Sequence, residues 1–250
     1  MTGSQAADFY TGIVADLYGP LKTYTQRAEP YAQFIAATGQ PALELGCGDG
    51  EPLLDLRRAG LDVDGVDSSQ DMLDRCRLAA HRDHIEVALF LQRMEELHLE
   101  RRYRSIFLAG PTINLLPDDD TTLQALQRIR EHLVPDGQAL IPIFTPPRLP
   151  TSGIGVTKEQ TQGDTLVRVT TVEYERDEES RTQTMVLRYE KHTPSKSQST
   201  ERPWVLHWHS QQEFRSLATR AGLVTAAVEL TDGSRAPEEA TDVSFRLSRG

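Results

Sequence analysis

Cysteine and long apolar runs are both scarce in this 250-residue sequence. Cys47 and Cys76 are too few for a disulfide framework, and they lack the spacing of a metal site. No apolar run approaches membrane-spanning length, and the start, MTGSQAADFY, lacks the charged and apolar regions of a signal peptide. We therefore expect a protein of the cytoplasm that has no membrane partner.

Positive charge is also in short supply. Lys and Arg together number 27 against 37 Asp and Glu, which gives a formal net charge of −10. Such a surface repels phosphate backbones, so we expect no nucleic-acid partner. With 38% apolar residues, the chain can bury one sizeable core, which predicts a single domain over residues 1–250.

Strand and helix patterns alternate through the first part of the chain. Residues 1–38 hold two helical stretches, the first interrupted at Gly19-Pro20 and the second ending at Gly39. The alternation over 41–145 predicts a mostly parallel sheet with helices on both faces. The predicted strands are 42–46, 61–67, 85–91, 105–110 and 138–144, and the predicted helices are 52–58, 71–80 and 122–133.

After the stiff connector TPPRLP the pattern changes to β-branched segments. Four of them, within residues 150–209, predict a small antiparallel sheet inserted into the fold. A helix at 211–221 and strands at 223–230 and 241–247 then return residues 210–250 to the first layer. The predicted fold class is α/β, a Rossmann-like and mostly parallel seven-stranded sheet with an antiparallel β insertion.

The stretch LELGCGDGEP carries the strongest functional signal. Gly46, Gly48 and Gly50 follow the first strand, at the sheet edge where open α/β folds bind ligands. Glycine permits positive φ and lets a ligand lie against bare backbone. A turn without a ligand would not require three alternating glycines.

Two cofactor classes use such a loop. A dinucleotide needs G-x-G-x-x-G, but here Glu51 stands at the third glycine and Pro52 removes a backbone donor. A carboxylate beside a pyrophosphate is repulsive, which disfavours a nicotinamide or flavin cofactor.

The pattern E-x-G-x-G-x-G, from Glu44 to Gly50, resembles motif I of the class I S-adenosylmethionine-dependent methyltransferases. That cofactor has a sulfonium cation and no phosphate, so a carboxylate such as Glu44 is favourable near it. Asp67 ends the second strand, where a carboxylate can accept hydrogen bonds from both ribose hydroxyls.

SSQDMLDRCR and LQRMEELHLERRYRSIFLAG are similar to further segments of these enzymes. The resemblance implies that Met72 packs on adenine and that the backbone around Met94 meets the ring edge. The family often has an acid just before that point, where this sequence has Gln92 and Arg93; Gln92 can still accept a bond from the adenine amine. The cofactor-binding residues implied are Tyr10, Tyr18, Glu44, Gly46, Cys47, Gly48, Gly50, Asp67, Ser68, Met72, Gln92, Arg93, Met94, Ala109 and Gly110.

FYTGIVADLYGPL looks like the N-terminal lid of small-molecule methyltransferases, particularly the N-methyltransferases of nucleotide-linked amino sugars. The resemblance implies that Tyr10 and Tyr18 close over the cofactor and that residues 1–38 form a helical lid. Both tyrosines also lie on an apolar stripe, so packing of a helix against the core is an equal alternative.

The segment HWH places His207 and His209 on one face of a strand. Their ordinary pKa suits a catalytic base, and they are the candidates for that role. No third ligand at useful spacing follows them, so we expect no metal.

The leading hypothesis is a methyltransferase that transfers a methyl group from S-adenosyl-L-methionine to a nitrogen or oxygen of a small metabolite, in secondary metabolism. The partner is then a small-molecule acceptor, and the protein is a monomer or homodimer. A non-catalytic S-adenosylmethionine-binding subunit and a nucleotide-cofactor oxidoreductase remain as alternatives.

Overall fold

A computed structural model of the protein describes residues 9–22 and 25–250. The predicted lid, 1–38, therefore falls partly outside the described residues, at 1–8 and 23–24. The described elements, in chain order, are α1 Ile13–Leu21, α2 Glu29–Thr38, β1 Ala42–Leu45, α3 Leu53–Arg58, β2 Val63–Asp67, α4 Gln70–Arg82, β3 Leu89–Leu91, β4 Tyr103–Phe107, α5 Asp119–His132, β5 Leu133–Phe144, β6 Thr157–Gln162, β7 Thr165–Asp177, β8 Thr182–His192, β9 Ser197–His207, α6 Gln211–Arg220, β10 Leu223–Glu229 and β11 Asp242–Arg249.

The main sheet confirms the predicted α/β class. Its seven strands run in the order β10-β11-β5-β4-β1-β2-β3. The pairs among β1 to β5 are parallel, whereas β11 runs antiparallel to both β5 and β10. All four residues of the central strand β1 are buried, because helices cover both faces of the sheet. The carboxyl ends of β1, β2, β4 and β5 consequently meet at one edge.

A second sheet, in the order β6-β7-β8-β9, forms the insertion. Its apolar face packs against the N-terminal segment, by which we mean the described residues 9–22 and 25–26. Phe9, Val14 and Leu17 share a buried cluster with Val167 and Tyr189. Helix α1 is thus held against the insertion rather than against the main sheet. This places the N-terminal segment above the sheet edge where the strands end.

The beginning of α4 shows how local sequence shapes that edge. The Ser69 hydroxyl accepts a hydrogen bond from the Met72 backbone N–H at 3.2 Å, so Ser69 is the helix cap. The same hydroxyl donates to the carbonyl oxygen of Tyr10 at 2.6 Å. One serine therefore both starts α4 and attaches the N-terminal segment to it.

Several predicted boundaries were wrong. Helix α1 continues through Gly19-Pro20 and ends at Leu21, because a proline so close to the last residue removes little of the hydrogen-bond ladder. Strand β3 is limited to 89–91, since only these residues pair with β2. Strand β5 begins directly after α5, and β9 ends at His207. Within the described residues, no helix is both long enough and apolar enough to cross a bilayer.

Candidate active site

The loop after β1 turns through three glycines at positive φ, which is +73° at Gly46, +54° at Gly48 and +101° at Gly50. Side chains other than glycine rarely adopt this conformation. A Cβ on Gly46 would lie 2.7 Å from the Thr112 side chain, and one on Gly48 would lie 3.4 Å from the methyl group of Met72. The loop thus presents bare backbone to the space above the sheet edge.

Asp67, the last residue of β2, is bonded to this loop. One carboxylate oxygen accepts from the Gly48 backbone N–H at 2.8 Å, and the other accepts from Ser69 N–H at 2.8 Å. Burial raises the pKa of Asp67 above its usual value, while these two backbone donors oppose the rise. Each oxygen keeps a second lone pair, so the carboxylate can still accept hydrogen bonds from a ligand.

A cavity of about 430 Å³ lies between the loop, the sheet edge and the N-terminal segment. Its volume falls within the range of small-molecule sites. The structure gathers most of the predicted cofactor-binding residues in its lining: Tyr10, Tyr18, Gly46, Cys47, Gly48, Asp67, Ser68, Met72, Gln92, Arg93, Met94, Ala109 and Gly110. Glu44 and Gly50, the two others, lie behind this lining.

Glu44 is fully buried in β1, and neither carboxylate oxygen has a hydrogen-bond partner within the described residues. Burial, reinforced by the nearby carboxylates of Asp67 and Asp49, raises the pKa of Glu44 well above its ordinary value. A buried carboxyl without partners is unfavourable in a folded protein and calls for an explanation. A cationic ligand group beside it would supply the missing charge.

Gly50 and Cys47 have structural explanations. A Cβ on Gly50 would lie 2.8 Å from the side chains of Cys76 and Leu54, so the glycine allows α3 and α4 to pack closely. Burial raises the pKa of the Cys47 thiol well above its usual value, which keeps it protonated and unreactive.

Glu51 is engaged with the N-terminal segment. Its carboxylate binds the Lys22 ammonium at 2.6 Å and accepts from the Gln26 backbone N–H at 2.6 Å. The Lys22 side chain is 8% exposed, so this ion pair is shielded from solvent. The carboxylate that disfavours a pyrophosphate thus ties the N-terminal segment to the glycine loop.

Tyr10 and Tyr18 both contact the cavity and both pack. Their rings meet edge to face with centroids 5.5 Å apart, and Tyr10 also stacks edge to face on Phe9 at 5.0 Å. The Tyr10 ring packs on the apolar cluster, the Tyr18 ring packs on Tyr10, and both rings line the cavity. The two alternatives for these residues are therefore compatible.

The Gln92 side chain folds back on its own loop. Its amide oxygen accepts from the His98 N–H at 2.8 Å, and its amide nitrogen donates to the His98 carbonyl at 3.1 Å. A bond from Gln92 to an adenine amine stays a prediction, and it would have to use the remaining lone pair of that oxygen.

His207 and His209 do not line the cavity. Both are buried, and their Nε2 atoms lie 3.5 Å and 3.1 Å from one oxygen of Asp119. Burial lowers the pKa of His207, and burial together with its neighbour lowers that of His209 to about 4. Both rings are consequently neutral at physiological pH. Neither ring contacts the cavity, so their predicted role as catalytic bases has no support from the structure.

Asp119 supplies the third donor that the sequence did not reveal, because it lies 90 residues from His209. These three side chains could hold a metal ion. Two features instead favour a structural role, in which Asp119 connects the two histidines to Arg181 without a metal ion. The Arg181 guanidinium binds the other oxygen of Asp119 at 2.5 Å, and neither histidine Nδ1 has an acceptor within the described chain, whereas metal-bound histidines almost always have one.

One side of the cavity is formed by residues that no sequence pattern indicated. Apolar side chains from the turn after β4, the end of β5 and the end of β9 form it, namely Leu115, Leu116, Phe144, Trp204 and Leu206. Strand order is the signal that could have found them, since the carboxyl ends of β4 and β5 lie beside that of β1.

Comparison with known proteins supports the resemblance found in the sequence. Residues 42–137 match the family described as methyltransferase domain. A carboxy-S-adenosyl-L-methionine synthase of Glaesserella parasuis serovar 5 (strain SH0165) is 31% identical over 127 residues, covering 45% of this chain and 52% of that protein. The chain thus matches about half the length of this relative.

Two further relatives cover more of the chain. A dTDP-3-amino-3,6-dideoxy-alpha-D-glucopyranose N,N-dimethyltransferase of Streptomyces fradiae is 27% identical and covers 67% of this chain and 68% of its own. The structure of the CcbJ methyltransferase from Streptomyces caelestis superposes with a TM-score of 0.76 at 22% identity, over 95% of this chain and 96% of that one. The predicted fold is confirmed, and the methyltransferase family is matched over residues 42–137.

The first prediction concerns Asp67. Replacing it by Ala removes an acceptor for ligand hydroxyls and frees the Gly48 N–H, so the affinity for S-adenosylhomocysteine should fall by about 1–3 kcal/mol. Isothermal titration calorimetry measures this. An unchanged dissociation constant in the folded variant would remove Asp67 from the site.

The second prediction concerns Glu44. Burial raises the pKa of Glu44 well above its ordinary value and so favours the protonated carboxyl, whereas a cationic ligand nearby favours the carboxylate. Binding of S-adenosylmethionine should therefore release a proton, so affinity should rise with pH until it passes the pKa of the free protein. Calorimetry in buffers of different ionisation enthalpy measures the proton.

The Glu44→Gln variant is the control, because it is isosteric and cannot titrate. It should bind S-adenosylmethionine more weakly than the wild type does, and its binding should release fewer protons. Without ligand, the raised pKa stabilises the wild type most below the ordinary glutamate value of 4.5, and that contribution is lost as pH rises. Identical pH profiles for wild type and variant would contradict this assignment.

Proposed function

We propose that this chain, whose residues 42–137 form a methyltransferase domain, transfers a methyl group from S-adenosylmethionine to a nitrogen or oxygen atom of a small metabolite, in secondary metabolism. The observation that carries the proposal is the single cavity. It joins the glycine loop and Asp67 on one side to an apolar recess above β4 and β5 on the other.

The residues present fit S-adenosylmethionine. Asp67 offers a carboxylate to ribose hydroxyls, the loop offers bare backbone, and Met72 offers an apolar side chain to a ring. Glu44 does not line the cavity, but its buried carboxyl interacts electrostatically with the lining residues Asp49 and Asp67 and would favour a cationic group near them. When bound, the cofactor supplies a methyl group already activated by the sulfonium.

The chain's own contribution is to align the acceptor and to exclude water, which lowers the barrier of an in-line displacement. The apolar side of the cavity can orient the acceptor, and the N-terminal segment covers it through Tyr10 and Tyr18. A neutral amine needs no base before it attacks. The described lining of the cavity contains no histidine. An amine nitrogen, which needs no base, is therefore favoured over a hydroxyl as the nucleophile.

The two alternatives have less support. An oxidoreductase would place a pyrophosphate near Glu51, whose carboxylate is held there by Lys22 and Gln26. A non-catalytic subunit would need no enclosed recess beside the cofactor site.

The third prediction is the test of this function. The purified protein should bind S-adenosylhomocysteine and not NADH, and it should transfer labelled methyl from S-adenosylmethionine to some member of a panel of small amines and phenols. Binding without any turnover would favour a non-catalytic subunit, and binding of NADH would favour an oxidoreductase.

A matched pair of glycine variants shows whether the loop is responsible. Gly48→Val should abolish binding, since its side chain would enter the cavity. Gly60→Val introduces the same residue at a similarly positive φ of +84°, where a Cβ meets open space, and should bind normally. Equal binding by the two variants would contradict the role of the loop.

A further inference from the structure

We infer that the methyl acceptor carries no phosphate group and instead presents an apolar body and an amine, which attacks in its neutral form. This inference rests on the proposed function and narrows its acceptor class. It also separates this chain from the nucleotide-linked sugars that the resemblance of the N-terminal segment implies.

Strand order divides the cavity into two ends. Residues after β1, β2 and β3, such as Gly48, Asp67 and Met94, occupy one end, which is the end that fits the cofactor. The other end lies above β4 and β5, and the acceptor must occupy it. Its surface comes from Leu115, Leu116, Phe144, Trp204 and Leu206, none of which is charged. The Trp204 indole N–H, which has no partner within the described residues, is the one side-chain donor among these five, and a single neutral donor is far fewer than a diphosphate requires.

Charge in the cavity is predominantly negative. Four carboxyl side chains line it, those of Asp49, Glu51, Asp67 and Glu95, and the Lys22 ammonium balances one of them, Glu51. Arg93 is the one cationic side chain among the described lining residues, and it follows β3 at the cofactor end. The undescribed positions 1–8 and 23–24 contain neither Lys nor Arg.

Two arginines of the insertion, Arg176 and Arg181, are bound to other partners. Arg176 donates to the Pro146 carbonyl at 2.6 Å and lies 3.9 Å from the ring centroid of Trp208. Arg181 binds the carboxylates of Asp119 and Glu213. Recognition of a diphosphate needs several charge-assisted donors, preferably from arginine. An acidic cavity with an apolar end repels such a group and attracts an amine.

The test compares two probes on the protein saturated with S-adenosylhomocysteine. Tryptamine has an apolar body and a cationic amine, and thymidine diphosphate carries the phosphates of a nucleotide-linked sugar. Calorimetry should give tryptamine a dissociation constant at least about tenfold lower than that of thymidine diphosphate. Equal or tighter binding of thymidine diphosphate, including no binding of either probe, would overturn the inference.

A charge placed in the apolar end sharpens the result. Leu115→Lys, at a half-buried position, should weaken tryptamine by about tenfold and leave S-adenosylhomocysteine within about twofold. Leu78→Lys makes the same charge change on α4, where the side chain is 72% exposed, and should alter neither affinity. Equal tryptamine affinity in both variants would overturn this placement of the acceptor. Loss of S-adenosylhomocysteine binding by the wild type would instead overturn the proposed function.

Discussion

The hydrogen bond from the Gly48 backbone to Asp67 is the interaction on which the site depends. It requires the loop after β1 to turn at positive φ, which only glycine does readily. The bond fixes the carboxylate at the end of β2 and leaves backbone facing the cavity. The parallel order of β4, β1 and β2 then brings the acceptor end beside the cofactor end.

The N-terminal segment completes the enclosure through several attachments, among them the following three. Ser69 binds the Tyr10 carbonyl, Glu51 binds Lys22, and the apolar cluster joins α1 to the insertion. Glu51 itself lines the cavity, and Ser69 directly follows the lining residues Asp67 and Ser68. The segment is therefore attached both to the glycine loop and to the beginning of α4.

The sequence predicted the sheet, and it also indicated most of the residues that line the cavity beside the glycine loop, because both depend on local patterns. Alternating strands and helices, three spaced glycines and the acid at Asp67 are all short-range signals. The contacts of Asp119 with His207 and His209, and the apolar end of the cavity, both join segments that are far apart in the chain. No local pattern reveals such contacts. Glu51 was interpreted only as a repulsive charge, since its partner Lys22 lies 29 residues away.

The central claim is that the cofactor binds between the glycine loop and the N-terminal segment. Hydrogen exchange with and without saturating S-adenosylhomocysteine tests it most directly, because bound ligand would restrain both segments at once. With S-adenosylhomocysteine bound, we expect slower exchange at the backbone amides of residues 46–50 and 13–21, and little change in β6 to β8. Unchanged exchange in both segments, at a ligand concentration that saturates binding, would contradict it.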